Sequence, residues 1–371
     1  MSHVPTSNEW SSSAVQPQPN GDIFASLLSF EIRWRDRQPF LESRGYMLRP
    51  RYRPGWVPSW RGTARFPIFF EDSLTLPFRE HLVDATRIAD GQLVYIKRVQ
   101  TGDDESQIAT MLSSPPLRDD PENHSVPILD TFRDAEDENI SYIVMPFLRL
   151  VDEPPFALVG EMVDCVDQIM EVSQDPEHSI RAFDCTYKNL MMDAHAMYPQ
   201  GFHPIRESFF PDGVTTAAPH LRRADVNVKY YYIDYGISVY FPPNADQKLV
   251  VGTLGRDQEV PELSDDVPYD PFKVDVFIVG NFFLHTFFGK FTNVDFLLPL
   301  IAYMTIADPS QRPTAAQAFA YWQKLRDTVS ELHMMWHPRP RDGSLISTAF
   351  FDFVSLVNAT SYFGRRLTGW V

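Results

Sequence analysis

The stretch RAFDCTYKNLMMD sets Asp184 and Asn189 five positions apart, with Lys188 between them and Asp193 four further on. Carboxylate and amide oxygens are the donors a hard cation such as Mg2+ selects, and a carboxylate can also accept a proton from an attacking hydroxyl. Asp234, in YYYIDYG, adds an oxygen donor beyond a strand-like run, and Lys97, in LVYIKRV, adds a cation on another. Glu105 stands eight residues after that lysine. A cation, metal-binding oxygens and a proton acceptor are what phosphate chemistry requires, because phosphoryl transfer rests on positioning and charge neutralisation. Each residue also has a plain structural use: Asp and Asn shape caps and turns, and a strand lysine is commonly a solvated edge charge.

The surrounding pattern shows what must position them. LVDATRIADGQLVYIKRV reads as two strands joined at Ala89-Asp90-Gly91, where Asp-Gly signals a hairpin, and Lys97 falls on the second. Asp103 to Leu112 reads as a short helix carrying Glu105, with acids in the first turn where the dipole favours them. Two more strands are expected over Val126 to Phe132 and Ile140 to Met145. GEMVDCVDQIMEV places Met162, Val166, Ile169 and Met170 on one helical stripe, VKYYYIDYGISVYF reads as a strand pair flanking Asp234, and helices follow to about Val329. Upstream, Phe24, Leu27, Leu28 and Ile32 have helical spacing, broken at Pro39 and Gly45, and the Pro-rich MLRPRYRPGWVPSWRG is expected as an extended belt.

Composition narrows the partners. With 371 residues and 44% hydrophobic content the chain can bury one large core or two that share a cleft. A net charge of −16 argues against a nucleic-acid surface, which needs Lys and Arg to release counterions. Two cysteines, Cys165 and Cys185, are too few for a disulfide framework, and the polar N-terminus lacks a signal architecture; both point to an intracellular, cytoplasmic or nuclear protein. The most apolar window, Val274 to Phe288, is interrupted by Asp275, Asn281 and His285 and falls short of the roughly 20 residues that cross a bilayer, so a buried core helix is expected and no membrane association.

Taken in order, YIKRV, DCTYKN, DYG, VPE, DVFIVG and DPSQRPTAAQAF resemble the motif series of the protein kinase superfamily over about 82–329. LRPRYRPGWVPSW, SSPPLRDDPENHSVPILDTF, VMPFLRL, GFHP and YYYIDYG look like the expanded protein-kinase-like proteins of mushroom-forming fungi. The resemblance implies an α+β, two-lobed fold: a small antiparallel-sheet lobe over 82–145 and a larger helical lobe over 149–329 with an inserted loop at about 194–227. A disordered tail over 1–22, an N-terminal extension over 23–81 and a C-terminal extension over 330–371 flank it.

It further implies ATP and Mg2+ as cofactors and a protein hydroxyl as phosphoryl acceptor. Asp184 would be the base, Lys97 the phosphate clamp with Glu105 as its partner, Asn189 and Asp234 the metal ligands. Met145, Phe147 and Leu148 would line the hinge that receives the adenine, and Asp275 and the Glu262–Arg312 pair would brace the large lobe. Where the family carries His-Arg before the aspartate this chain has Ala182-Phe183, and Thr186 stands where a phosphate-steadying lysine is usual, leaving Lys188 as the nearest cation. No glycine-rich loop precedes Lys97; Arg49, Arg51, Arg53 and Arg61 of the belt are either phosphate contacts or packing residues. These departures frame two classes: a weak or atypical protein kinase, and an inactive pseudokinase that binds nucleotide or acts as a scaffold. A small-molecule phosphotransferase on the same fold is a third. His195, His203 and His220 in the inserted loop match no metal-ligand spacing.

Overall fold

The computed structural model describes residues 23–76, 80–171, 185–239, 241, 247–344, 346 and 349–356. The expected tail over 1–22, and Asp184 with Ala182 and Phe183, lie outside the described residues. The chain is mixed α+β. Five strands, β1 (Tyr46–Met47), β2 (Leu82–Arg87), β3 (Leu93–Gln100), β4 (Asp130–Arg133) and β5 (Ile140–Pro146), form an antiparallel sheet in the order β1-β2-β3-β5-β4. The Asp-Gly turn joins β2 to β3 as expected, with Gly91 at φ +73°, a left-handed backbone that glycine adopts without a Cβ penalty. β4 starts later than expected, because Ser125 instead forms a parallel bridge to Tyr232 below the sheet.

Side chains alternate across a strand, and β3 shows what each face does. Val94 and Ile96 join Val83, Ala85, Tyr142 and Val144 in a core covered by the N-terminal helix α1 (Ser29–Ser43), while Leu93, Tyr95 and Lys97 face the opposite way. Two expectations for α1 fail. The helix runs through Pro39 to Ser43, since Pro39 lies exposed and the bond its missing N–H forgoes opens to water. Its buried stripe is Phe30, Glu31, Trp34, Gln38 and Leu41, whereas Leu28 and Ile32 are exposed. A buried glutamate and glutamine sit in that stripe because the belt brings them partners.

Arg51 and Glu31 are both fully buried, with Nε 3.1 Å from Oε1 and a second contact of 3.3 Å through Oε2. The remaining guanidinium hydrogens reach the carbonyls of Phe24, Ser26 and Asp72. Arg49 joins the belt to the sheet through Asp84 (2.9 Å) and Glu71 (3.1 Å), and Glu71 also meets His203 of the inserted loop at 3.2 Å. Belt arginines Arg49 and Arg51 are therefore packing residues, with their charge answered inside the N-terminal region. Gln38 bonds the main chain of Leu48, closing the same turn of the belt.

Below the sheet, β6 (Arg149–Leu150), β7 (Leu190–Asp193) and β8 (Lys229–Tyr232) form a second antiparallel sheet, and a hairpin of β9 (Val250–Gly252) and β10 (Ser264–Tyr269) stands apart from it. Asp234 therefore follows one strand; among the described residues no second strand flanks it. The helix α2 (Asp104–Leu112) packs between the two sheets, with Leu148, Met191 and Tyr235, while α3 (Val159–Glu171), α4 (Pro271–Phe283), α5 (Leu298–Met304), α6 (Ala315–Arg326) and α7 (Glu331–Met334) share the core around the second sheet. The apolar window is the buried α4, prolonged by a π turn over Leu284–Phe288. Gly280 is required there: a Cβ would lie 2.8 Å from the Thr305 side chain and 2.9 Å from Met304, so only glycine lets α4 and α5 approach. Arg312 grips Glu262 with both nitrogens (2.5 and 3.0 Å), as expected of a structural pair. The C-terminal segment docks on the start of α3, where the Val159 N–H donates to the Trp336 carbonyl (2.8 Å), and is held further along where the Thr292 N–H donates to the Arg339 carbonyl (2.8 Å); Arg339 and Asp352 pair within the segment itself. No described helix is long and apolar enough to cross a membrane.

Removing one partner of a buried ion pair leaves the other uncompensated, so Arg51→Met is expected to cost about 3–5 kcal/mol in urea unfolding, with Glu31→Leu added to it recovering part of the loss. Glu71 tests the link to the inserted loop. Burial works to raise its carboxyl, but His203 and Arg49 outweigh burial and hold it below the ordinary value of 4.5. Such a group contributes stability that is present above pH 4.5 and lost as pH falls through its folded value. Glu71→Gln is accordingly expected to lower stability at pH 7 by about 1–2 kcal/mol, and the gap between variant and wild type to close on acidification; a gap that is constant with pH would refute the assignment.

Candidate functional site

Lys97 reaches down from β3 between two carboxylates. Its Nζ makes a close ion pair with Glu105 Oε1 and lies 3.4 Å from Asp234 Oδ1. The short connection from Lys97 to Glu105 works because β3 ends at Gln100, Gly102 turns at φ +80°, and Asp103 caps α2 by accepting the Ser106 N–H at 2.8 Å. Glu105 thus enters in the first turn of the helix. Ile108, Ala109 and Leu112 on its buried face pack with Val126, Leu148, Met191 and Tyr235, a cluster that ties α2 to the lower sheet and to the residue after Asp234.

The Asp234 segment is shaped for this contact. Among the described residues Asp234 is the one non-glycine with positive φ, at +66°, a conformation Asp tolerates better than most side chains. Tyr235 is buried, accepts the Val126 N–H and donates to the Tyr232 carbonyl at 3.0 Å, so the chain is clamped just past the turn. Gly236 comes next, and a Cβ there would stand 3.4 Å from Asp234 Oδ1 and 3.9 Å from Glu105 Oε2, so the two carboxylates face a bare backbone. Asn189 is buried, and its carbonyl accepts the Ile233 N–H at 2.9 Å. This bond sets Asn189 and Asp234 at adjoining ends of β7 and β8.

One ammonium shared by two carboxylates has a defined electrostatic signature. Burial alone would lower the Lys97 pKa, yet Glu105 and then Asp234 outweigh it and hold it above the ordinary 10.5. Burial raises Glu105, and Lys97 only partly offsets that because Asp234 repels the same carboxylate. The Asp234 side chain keeps 40% of its surface open, against 14% for Lys97 and 17% for Glu105, so Asp234 is the most accessible of the three. Asp234 and Asn189, both of the oxygen-bearing types that Mg2+ selects, stand at adjoining strand ends, with Lys97 beside Asp234. Among the described residues no three His, Cys, Asp or Glu side chains group as a metal cluster.

The other expected site residues divide. Lys188 is exposed and lines a groove of about 620 Å3 with Thr186, Asp257, Glu259, Asn281 and His285; among the described residues no contact joins it to Lys97, Glu105 or Asp234. Met145 is the cross-strand partner of Tyr95, and Leu148 is buried in the α2 cluster. The Phe147 N–H, expected at the hinge, donates to the Leu93 carbonyl at 3.2 Å, and its ring stacks on Tyr95 with centroids 4.4 Å apart. Sequence reasoning passed over Tyr95, although alternation on β3 puts it on the Lys97 face. The histidines of the inserted loop are separately partnered: His195 with Asp193, His203 with Glu71, and His220 against the Tyr198 ring.

Lys97→Met is expected to lose about 1–3 kcal/mol of stability, and a double-mutant cycle with Glu105→Gln to show coupling of similar size. A base whose folded pKa is raised contributes stability that is fully present below 10.5 and lost as pH rises through the folded value. The difference between wild type and Lys97→Met should therefore be flat from neutral pH up to that point and shrink above it, as read by urea unfolding across pH. The chain matches no protein-family model and no curated protein, so the geometry around Lys97 is what bears on its function.

Proposed function

We propose that the chain is an atypical, magnesium-dependent protein kinase on a two-lobed kinase-like fold, transferring the γ-phosphoryl group of ATP to a protein hydroxyl. The observation that carries the reading is Lys97 held between Glu105 on a helix and Asp234 at a left-handed turn. On this reading the five-stranded sheet with α2 is the small lobe, the lower sheet and helices are the large lobe, and the two meet around Pro146 to Leu148. Lys97 pairs with phosphate oxygens and is oriented by Glu105. Asp234 and Asn189 would hold Mg2+, which when bound neutralises phosphate charge. Asp184 orients the acceptor hydroxyl and takes its proton. An inactive nucleotide-binding pseudokinase is the second reading, favoured by one observation: the cation nearest the loop, Lys188, is exposed on a separate groove.

The test is thermal unfolding with ATP, with and without Mg2+. Ligand binding to the native state stabilises by roughly 2.7 kcal/mol at a hundredfold excess over Kd. A magnesium-dependent rise in Tm that Asp234→Asn abolishes is the expected result, and no shift at millimolar MgATP removes both readings. Transfer of labelled phosphate to a protein acceptor, silent in Asp184→Asn, separates the kinase from the pseudokinase.

A further inference from the structure

Residues 49–70, the belt and its continuation, hold five arginines and no Asp or Glu, in a chain where acids outnumber bases by 49 to 33. Arg49 and Arg51 are paired with carboxylates of the N-terminal region. Arg53, Arg61 and Arg65 are exposed, and among the described residues none of the three makes an ion pair; Arg53 donates only to the Leu48 carbonyl. Their charge is left facing outward. Beside them Phe66 keeps 74% of its surface open, and Ile68 and Phe69 keep 51% and 50%. One exposed apolar side chain is ordinary, but three bulky ones within four positions make a patch of the kind that marks an interaction site.

The patch is held in place from behind. Trp60 is buried, with its ring 6.1 Å from Trp56 and 6.3 Å from Phe70, and Asp72 accepts from both the Trp56 indole (2.9 Å) and the Ser59 N–H (2.8 Å). In front of that anchor a single 3-10 turn, Pro67–Phe69, is closed by the Phe69 N–H on the Phe66 carbonyl (3.1 Å) and the Phe70 N–H on the Pro67 carbonyl (2.9 Å). Phe66, Ile68 and Phe69 are thus displayed on an ordered turn, which lowers the entropy lost on docking. The Arg65 guanidinium lies over the rings of Phe69 and Phe70 at 5.4 and 5.7 Å, so cation and apolar groups form one surface. Every residue from 61 to 66 is exposed, which makes this a protruding edge. A protein partner would need a hollow shaped to receive it; a bilayer surface does not.

We propose that this edge docks the protein peripherally on an anionic lipid bilayer, with Phe66, Ile68 and Phe69 entering the boundary between headgroups and acyl chains and Arg61 and Arg65 meeting the anionic headgroups. Apolar insertion and attraction of basic residues to acidic lipid are the two contributions that hold peripheral proteins at such a surface. No spanning helix is needed, so the short apolar window of α4 is no bar. Repulsion between the lipid and the acidic remainder of the chain is screened within about 8–10 Å at physiological salt, whereas the arginines of the edge stand at the surface itself. Neither Lys97 nor Asp234 takes part, so the docking stands or falls apart from the proposed kinase activity.

Flotation of the full chain with vesicles of phosphatidylcholine alone, and of phosphatidylcholine and phosphatidylserine in equal parts, tests this. Wild type is expected to float with the mixed vesicles, less so as salt is raised, and to stay behind with phosphatidylcholine. Phe66→Ser with Phe69→Ser should weaken the apparent affinity about tenfold or more, the factor that burial of one such ring contributes; Arg61→Glu with Arg65→Glu should abolish flotation. Urea unfolding should leave both double variants at wild-type stability. Should the phenylalanine pair be destabilised, Phe66→Ser alone, at the more exposed ring, carries the test. Flotation that is absent in wild type, equal with both vesicle types, or unchanged by loss of the phenylalanines overturns the proposal. So does a dimer seen by sedimentation velocity that the phenylalanine variant dissolves without any flotation, which would assign the edge to a second copy. Binding of wild type to immobilised polyglutamate without flotation would assign it to an acidic protein, and overturns bilayer docking equally.

Discussion

The Arg51–Glu31 pair, withdrawn from water on both sides, is the constraint from which the upper half follows. Two charges in the interior are tolerable only when every donor and lone pair is met. Meeting them fixes the path of the chain: the start of the N-terminal region supplies the carbonyls of Phe24 and Ser26, α1 supplies Glu31, and the belt returns with Asp72. Tyr52 adds its hydroxyl to the same carboxylate at 2.9 Å and receives the Leu76 N–H. Helix and belt are thus locked as one layer across the sheet. Phe30, Trp34, Leu41, Leu48, Tyr52 and Leu76 of this layer share one core with Val83, Ile96 and Val144 of the sheet, which would be uncovered without them.

That layer also bears on Lys97. Lys97 pairs across the sheet with Leu82, where the belt hands the chain to β2. The roof over the lysine is therefore anchored through Arg49, which links Asp84 on β2 to Glu71 in the belt and onward to His203 in the inserted loop. A glycine-rich flap would close over a ligand by moving; this edge is held by ion pairs to two other parts of the chain. Lys97 and the half-buried Asp234 thus lie beneath an edge that is tied down on both sides.

Much of the site was legible because it lies at punctuation. Lys97 interrupts the apolar run of β3, Glu105 stands in the first turn of α2 and Asp234 at the turn after β8, and a glycine and a capping aspartate mark the link from Lys97 to Glu105. The buried face of α1 was not legible, since its stripe includes Glu31 and Gln38, whose partners are distant in sequence, and an apolar count favours Leu28 and Ile32 instead. The strand expected after Asp234 failed for a local reason: a left-handed residue followed by a clamped Tyr235 redirects the chain out of the ladder. The Tyr95–Phe147 stack was not legible because a tyrosine is ordinary in a strand and Phe147 is brought to it by the β3–β5 pairing.

Charge and packing both join the five-stranded sheet to the residues below it. Ionic contacts run from Lys97 to Asp234 and from Glu71 to His203, while Tyr235 and the α2 cluster supply an apolar link a few residues from Lys97. An ionic contact partly open to water is weak compared with apolar burial of this extent. The join therefore rests mainly on the packing around α2 and Tyr235, and the Lys97–Asp234 contact adds little to it. Of the two carboxylates that meet Lys97, Glu105 is the closer and the more buried, while Asp234 stands 3.4 Å away with 40% of its side chain open to water, so the ammonium is held chiefly by the helix and only secondarily by the turn after β8.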